Sequence, residues 1–486
     1  MKNIKVFFDE KSLKILLLGF SSGLPILLVF STLSVWLVKA GVDRSTITLF
    51  SWAGFAYAFK YLWSPLVDNY KLCLFKNFGH RKSWLLISQI LIISSLILTA
   101  HTDPKDNLFF TALFITFLAF FSATQDISID AFRIESAPQS LQGPLSSMYI
   151  AGYRMAMLVA GAGSLWLASF FGSDEYDYNV WKKVYLIMAC LMSIGIFATF
   201  ISKEPIVKRK FNSDNHINFL ISILIAVLTF IFLYSNINNP FTKDDVIMSF
   251  IFSLLRLVVC FISSFYLIKL LVLMNFISNK KINDSYYKPI LNFLSKYGKF
   301  AFLILSLISL YRIADIVMGV MANIFYLEKG YNISDIATYS KFFGVFATIF
   351  GGFIGGYSSL KFGTMKALFF GALIAALSNF LFAWLAISPI SINFLICVIT
   401  ADNISSGFAG AAFVVYLSAL TSIKFTATQY ALFSSLMLFL PKLIAGFAGS
   451  WVDIMGYTYF FSLTAFLGLP VLFLIIWIAK IAPVKN

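Results

Sequence analysis

The sequence predicts an all-α polytopic membrane protein: two six-helix halves with two inserted helices between them, about fourteen transmembrane helices in all. Three observations predict it. Apolar runs are long enough to cross a bilayer, basic residues collect in alternate connections, and two stretches of the first half recur in the second. Of the 486 residues, 59% are hydrophobic and 12% charged, and the mean hydropathy is +0.85. Soluble domains carry about a quarter charged residues. A transmembrane β-barrel is excluded because its strands alternate apolar and polar residues in segments of about ten.

The runs can be taken in order. The first, 13–38, comes with Lys2, Lys5, Lys11 and Lys14 at its start and exceeds the core of a cleaved signal peptide, so it reads as a retained span. Five more follow at 46–66, 84–100, 108–129, 145–171 and 184–201. An inserted pair lies at 217–235 and 246–277. A last six run through 300–326, 336–357, 365–386, 392–420, 429–452 and 457–479. The division is therefore 1–202 for an N-terminal half, 203–299 for cytoplasmic linkers plus the inserted pair, and 300–486 for a C-terminal half. Segments 203–216 and 278–299 read as the two sizeable soluble connections, and both are basic.

With the N-terminus in the cytoplasm, inner connections and span ends hold 23 of the 37 Lys and Arg, outer connections 7, and span interiors the other 7. That excess satisfies the positive-inside rule with both termini cytoplasmic. It also explains the net charge of +15 without a nucleic-acid partner.

Aligning Gly41 with Gly330 superposes Ser45 on Ser334, Ile47 on Ile336, Ser51 on Ser340 and Ala58 on Ala347. Leu158-Val-Ala-Gly161 with Trp166 likewise matches Leu443-Ile-Ala-Gly446 with Trp451. Two matches at nearly one separation indicate a duplicated six-span unit, which places a substrate site near the midplane between the halves.

No GxxxxGK[ST] phosphate loop or HExxH pair occurs, so neither ATP-driven pumping nor a zinc hydrolase is indicated, and no enzyme activity is expected. Cys73, Cys190, Cys260 and Cys397 are widely spaced, as are His80, His101 and His216. No metal or cofactor is expected, only a proton gradient as energy source.

Ionisable side chains inside spans are costly and normally face a cavity. In Gln125-Asp126-Ile-Ser-Ile-Asp130 the two acids share a helix face, and a pair of carboxylates in a low dielectric is proton-carrier chemistry. The alternative is a helix-end pair with Arg133. Arg154, after Tyr153, is the expected counter-ion of the acids, and Lys60 is a second cation with either a binding or a snorkelling role. Arg312 and Asp315, beside Tyr311, can pair on one face, and Lys341, Asp402 and Lys442 complete the set of candidate binding residues. Arg256 and Lys269 of the inserted pair read as packing or snorkelling residues. Trp52, Tyr57, Trp63, Tyr153, Tyr311 and Tyr416 are candidates for stacking on sugar rings or for packing.

The chain resembles the AmpG-type muropeptide permeases of the major facilitator superfamily over nearly all of both halves. The motifs are Gly19-Phe-Ser-Ser-Gly-Leu-Pro25, Phe59-Lys-Tyr-Leu-Trp-Ser-Pro65 with Asp68, Ser122-Ala-Thr-Gln-Asp-Ile-Ser-Ile-Asp-Ala131, Gly152-Tyr-Arg154, Leu310-Tyr-Arg-Ile-Ala-Asp315, Ala411-Ala-Phe-Val-Val-Tyr-Leu-Ser-Ala-Leu420 and Thr426-Ala-Thr-Gln-Tyr-Ala-Leu432. The resemblance implies a multi-pass inner-membrane proton symporter, a monomer in the bilayer, that imports anhydromuropeptides for cell-wall recycling. It implies proton coupling at Asp126 and Asp130, substrate binding at Lys60, Gln125, Arg154, Arg312, Asp315 and Gln429, and gating at Asp68 and Arg81. This sequence departs from the pattern at Asn69, where an Arg is usual, at Arg312 for Lys and at Asp402 for Glu. An acetyl-CoA-type or other organic-anion carrier of the same fold, or a non-transporting membrane scaffold or sensor, is the competing expectation.

Overall fold

The computed structural model describes residues 5–43, 46–47, 50–72, 78–172, 176–207, 217–240, 246–276 and 278–482. Twelve helices among them are long and apolar enough to cross a membrane. The second run and the helix Ile217–Asn236 fall outside that count, the first because it is broken and the second because only part of it is fully described. With these two the expected fourteen are accounted for.

Spans 3, 4 and 6 are single helices, His80–Ala100, Leu108–Ser136 and Tyr178–Ile201. Span 4 is longer than its apolar run suggests. Nothing in the polar stretch after Ile129 breaks a helix until Ala137, which precedes a proline and turns to φ −152° and ψ 154°. Asp130 and Arg133 therefore sit inside the helix.

The remaining spans of the first half carry irregularities. Span 1 is Glu10–Val29 and Ser31–Lys39, interrupted at Phe30. Span 2 is a chain of short pieces, Ser51–Gly54, Phe55–Ala58, Lys60–Leu62 and Ser64–Asn69. Span 5 runs Gln142–Leu158, widens over Val159–Gly163 and continues through Ser164–Phe170.

The second half repeats the pattern. Span 7 breaks between Ala301–Leu310 and Ile313–Lys329, leaving Tyr311 and Arg312 at the interruption. Span 8 widens over Ala337–Phe343 before Gly344–Phe362. Spans 9 and 10 are Thr364–Ile387 and Ile392–Leu420. Span 11 is Thr426–Ala445 and ends across a break at Gly446; span 12 starts after the non-helical Gly456 and finishes in Gly468–Ile481. Both sequence matches thus fall where the helix is not regular, Ser51 with Ser340 and Leu158–Gly161 with Leu443–Gly446.

Positive-φ glycines show the same duplication. Gly41, Gly79 and Gly172 pair with Gly330, Gly363 and Gly456, at separations of 289, 284 and 284 residues, and only Gly298 of the seven has no counterpart. Each paired glycine ends one span or starts the next, where a left-handed residue reverses the chain and a Cβ is disfavoured.

Between the halves lie Ile217–Asn236 and Val246–Leu273. The expected soluble connection 278–299 is instead structured: Asn279–Ile282, Asn283–Tyr287 and Lys288–Tyr297 are helical. It docks by burying Pro289 and Phe293, the latter against Phe433 of span 11, and Tyr286 donates to the carbonyl of Leu62 in broken span 2. Of the other expected connection, residues 208–216 lie outside the described residues.

Candidate functional site

Small residues bring the site together. A Cβ on Gly19 or Gly23 would lie 2.3 Å from the carbonyl oxygen of Tyr149 or Tyr153, and one on Gly152 1.9 Å from that of Leu16. Spans 1 and 5 therefore meet backbone to backbone. This contact delivers Ser22 to span 4, where it donates to Asp126 and in turn accepts from the Tyr149 hydroxyl at 2.9 Å. Gly19-Phe-Ser-Ser-Gly23 happens to fit the GxSxG spacing of a hydrolase elbow. It lies inside a helix rather than at a strand-to-helix turn, and Ser21 donates to Gln125 at 3.0 Å.

Asp126 and Asp130 share one face of span 4 and are buried at 8% and 5% exposure. Lys60 Nζ stands 3.8 Å from one oxygen of Asp130, and Arg133 Nη2 stands 3.6 Å from the other. Asp126 is within electrostatic reach of Lys60, Asp130, Tyr57 and Tyr153. The break at Phe59 turns Lys60 into this cluster, and Trp63 fixes the next turn by donating to Thr124 at 3.0 Å. Lys60 is therefore paired, not snorkelling, and two acids face two cations.

In the second half Arg312 pairs with Asp315, and Asp402 of span 10 lies within electrostatic reach of both. Tyr311 aims this group rather than offering a sugar platform. Its ring stacks on Phe413 with centroids 4.3 Å apart, and its hydroxyl donates to the Leu368 carbonyl at 3.1 Å.

Arg154 departs from its expected place. Its electrostatic neighbours include Tyr153 and, across the gap between the halves, Arg312 and Asp315; Asp126 and Asp130 have Lys60 and Arg133 instead. Arg154 therefore joins the charges of the second half, although it belongs to the first.

Other expected site residues lie apart. Gln125 binds Ser21 twice, through Oε1 and through Nε2 to the carbonyl, which leaves it to join spans 1 and 4. Gln429 accepts from the Ser422 amide at 2.7 Å and donates to the Pro289 carbonyl at 2.8 Å, holding segment 279–297 against span 11. Lys442 is exposed beside buried Pro441, with no ion-pair partner among the described residues. The side chain of Lys341 and that of Trp52 lie outside the described residues. No cluster of three metal-ligating side chains is found among the described residues.

One end of the bundle is shut by polar contacts between the halves. Asp68 accepts from the backbone amides of Ala427 and Thr428 at 3.1 and 2.8 Å, and from the Thr428 hydroxyl at 2.7 Å. Arg81 donates to Asp68 and to Glu135, each at 2.7 Å. Glu204 receives the amides of Arg81 and Lys82. Ser147 donates to the Gly352 carbonyl at 2.7 Å, and Arg133 donates to Ser418 at 3.1 Å. Toward the opposite end the apolar cores separate: the cluster around Trp36 and Trp181 draws only on the first half.

The family model described as Major Facilitator Superfamily matches residues 15–440. Among curated proteins, the chain is 32% identical over 477 residues to the putative transporter AmpG 4 of Rickettsia felis, covering 98% of both chains. It is 27% identical over 474 residues to the anhydromuropeptide permease of Escherichia coli K12, covering 97% of this chain and 80% of that one. Among solved structures it resembles the transporter FucP in its outward conformation, with a TM-score of 0.60 at 10% identity, over 97% of this chain and 99% of that one.

Proposed function

The chain belongs to the Major Facilitator Superfamily and, within it, to the AmpG-type transporters, and from that premise we propose that it imports anhydromuropeptides across the bacterial inner membrane, driven by protons. The supporting observation is a charge cluster in each half, with Arg154 of the first half within electrostatic reach of the second. Asp126, Asp130 and Lys60 lie in the first half, and Arg312, Asp315 and Asp402 in the second, where Arg154 also reaches.

Each cluster mixes cations with acids. A carrier of polyphosphate anions needs a net positive groove, whereas a sugar-peptide brings its own carboxylates and ammonium groups and fits a mixed site. In this reading Arg154, Arg312 and Lys60 receive the substrate's carboxylates, and Tyr153 lies beside its sugar rings. Asp126 and Asp130 carry the proton. The proton loads while the site faces the periplasm and leaves when the site opens to the cytoplasm.

The two units 1–202 and 300–486 rock about the site as a monomer, with both termini, segment 203–216 and the closed end facing the cytoplasm. Asp68 and Arg81 then form the inner gate, closed in this state. No cofactor takes part. The test is uptake of radiolabelled N-acetylglucosaminyl-1,6-anhydro-N-acetylmuramyl peptide into proteoliposomes with and without an imposed proton gradient. Gradient-dependent accumulation is expected; equal uptake in both conditions would exclude proton coupling, and no uptake in either would exclude the substrate.

A further inference from the structure

Arg133 is fully buried, and its nitrogens are used unequally. Nη1 donates to Gln142 at 3.0 Å and Ser146 at 3.2 Å in its own half, and to Ser418 of span 10 at 3.1 Å in the other. The guanidinium lies between two rings, 6.0 Å from Tyr149 of the first half and 5.4 Å from Tyr430 of the second. Nη2 stands 3.6 Å from Asp130, and neither it nor Nε has a hydrogen-bond partner among the described residues. Asp130 is its one ion-pair partner among those residues.

A guanidinium out of water needs a counter-charge, and removing the partner of a buried pair leaves a costly lone ion. Here that lone ion would sit in the seam between the halves. Separation of the halves would bring water to it.

Resting on the reading of Asp130 as a proton-carrying acid, we infer that Arg133 is the positioning residue that ties the proton to the inner gate. Ionised Asp130 neutralises Arg133, which holds Ser418 and Tyr430 of the opposite half. Protonated Asp130 leaves Arg133 uncompensated, and the seam opens to hydrate it. Once the proton leaves toward the cytoplasm, Asp130 recaptures Arg133 and the seam closes.

The groups facing Asp130 are Asp126 on its own helix, Lys60 of span 2, Tyr149 and Tyr153 of span 5, Tyr430 of span 11 and Arg133 itself. Lys60 keeps Asp126 as a counter-ion when Asp130 is neutral. Arg133 has no such reserve among the described residues.

The test uses a Val415→Cys reporter, since Val415 is buried at 2% and its carbonyl accepts from Gln139 across the seam. With the four native cysteines replaced by serine, inside-out vesicles are treated with a membrane-impermeant maleimide. Labelling is expected to rise as pH falls, and Asp130→Asn is expected to label about tenfold faster at every pH than the parent at high pH. Adding Arg133→Met to Asp130→Asn removes the lone charge and should return labelling to the slow rate, independent of pH. A merely structural arginine predicts the opposite, a double variant looser than either single one. Double-variant labelling as fast as that of Asp130→Asn overturns the inference, and so does slow labelling of Asp130→Asn alone. Proton-driven accumulation surviving in Asp130→Asn overturns the underlying reading of Asp130 instead, and the inference with it.

Discussion

Asp126 depends on a hydroxyl relay from two other spans, Tyr149 to Ser22 to carboxylate. The relay ties the carboxylate to spans 1 and 5. Asp126→Asn removes the titratable group but keeps an acceptor for Ser22, so exchange of substrate across the membrane should persist while uphill accumulation is lost, as counterflow and gradient-driven uptake assays can separate. The cations act on binding. Arg154→Ala is expected to raise the KM for muropeptide about tenfold or more, the value of one charge-assisted contact, with folding retained by size-exclusion profile. Unchanged uptake in the alanine variants of Arg154, Lys60 and Arg312 would remove all three from the site. The helical spacing of Asp126 and Asp130 was readable in the chain itself. Their partners were not, because Ser22 reaches Asp126 across 104 residues of chain and the Tyr149 hydroxyl reaches Ser22 across 127, through close helix packing that no local pattern encodes. Arg154 was assigned to the wrong acids for the same reason.

At the scale of elements, hydropathy located the spans but not their interruptions. The broken span 2 and the gap at Tyr311–Arg312 are conformational, and a composition window reads straight through them. Glycine was the legible signal, since Gly41 with Gly330 was visible as a sequence match and proves to be a pair of left-handed residues with φ of 79° and 99°. Gly172 and Gly456 offer a clean test. A Cβ at either would meet nothing within 4 Å, so Gly→Ala there adds backbone strain alone. Each substitution is expected to cost about 1 kcal/mol, seen as a lower thermal midpoint with KM unchanged. A similar loss from Gly319→Ala, a helical position with equally open surroundings, would show that conformation is not the cause.

For the whole molecule, the duplicated halves and the alternation of basic connections were legible because both are properties of the chain. Which end is shut was not, because that is one state of a moving object. The orientation can be measured directly: a thiol introduced at position 210 should react with impermeant reagents only from the cytoplasmic side, and labelling from the periplasm would invert the topology. Motion also has a mechanical side. Spans 5 and 8 cross where Gly143 faces Gly356, and a Cβ on Gly143 would come within 2.6 Å of the opposing carbonyl oxygen. Near this crossing the Ser147 hydroxyl reaches over to the Gly352 carbonyl. A joint without interlocking teeth turns without first being unlocked, so resistance to rocking arises at the polar latches around it and not at the pivot. Such a joint leaves the hydrogen bonds across the seam, Ser147 to Gly352 and Arg133 to Ser418 among them, as the contacts that must break before the halves rock.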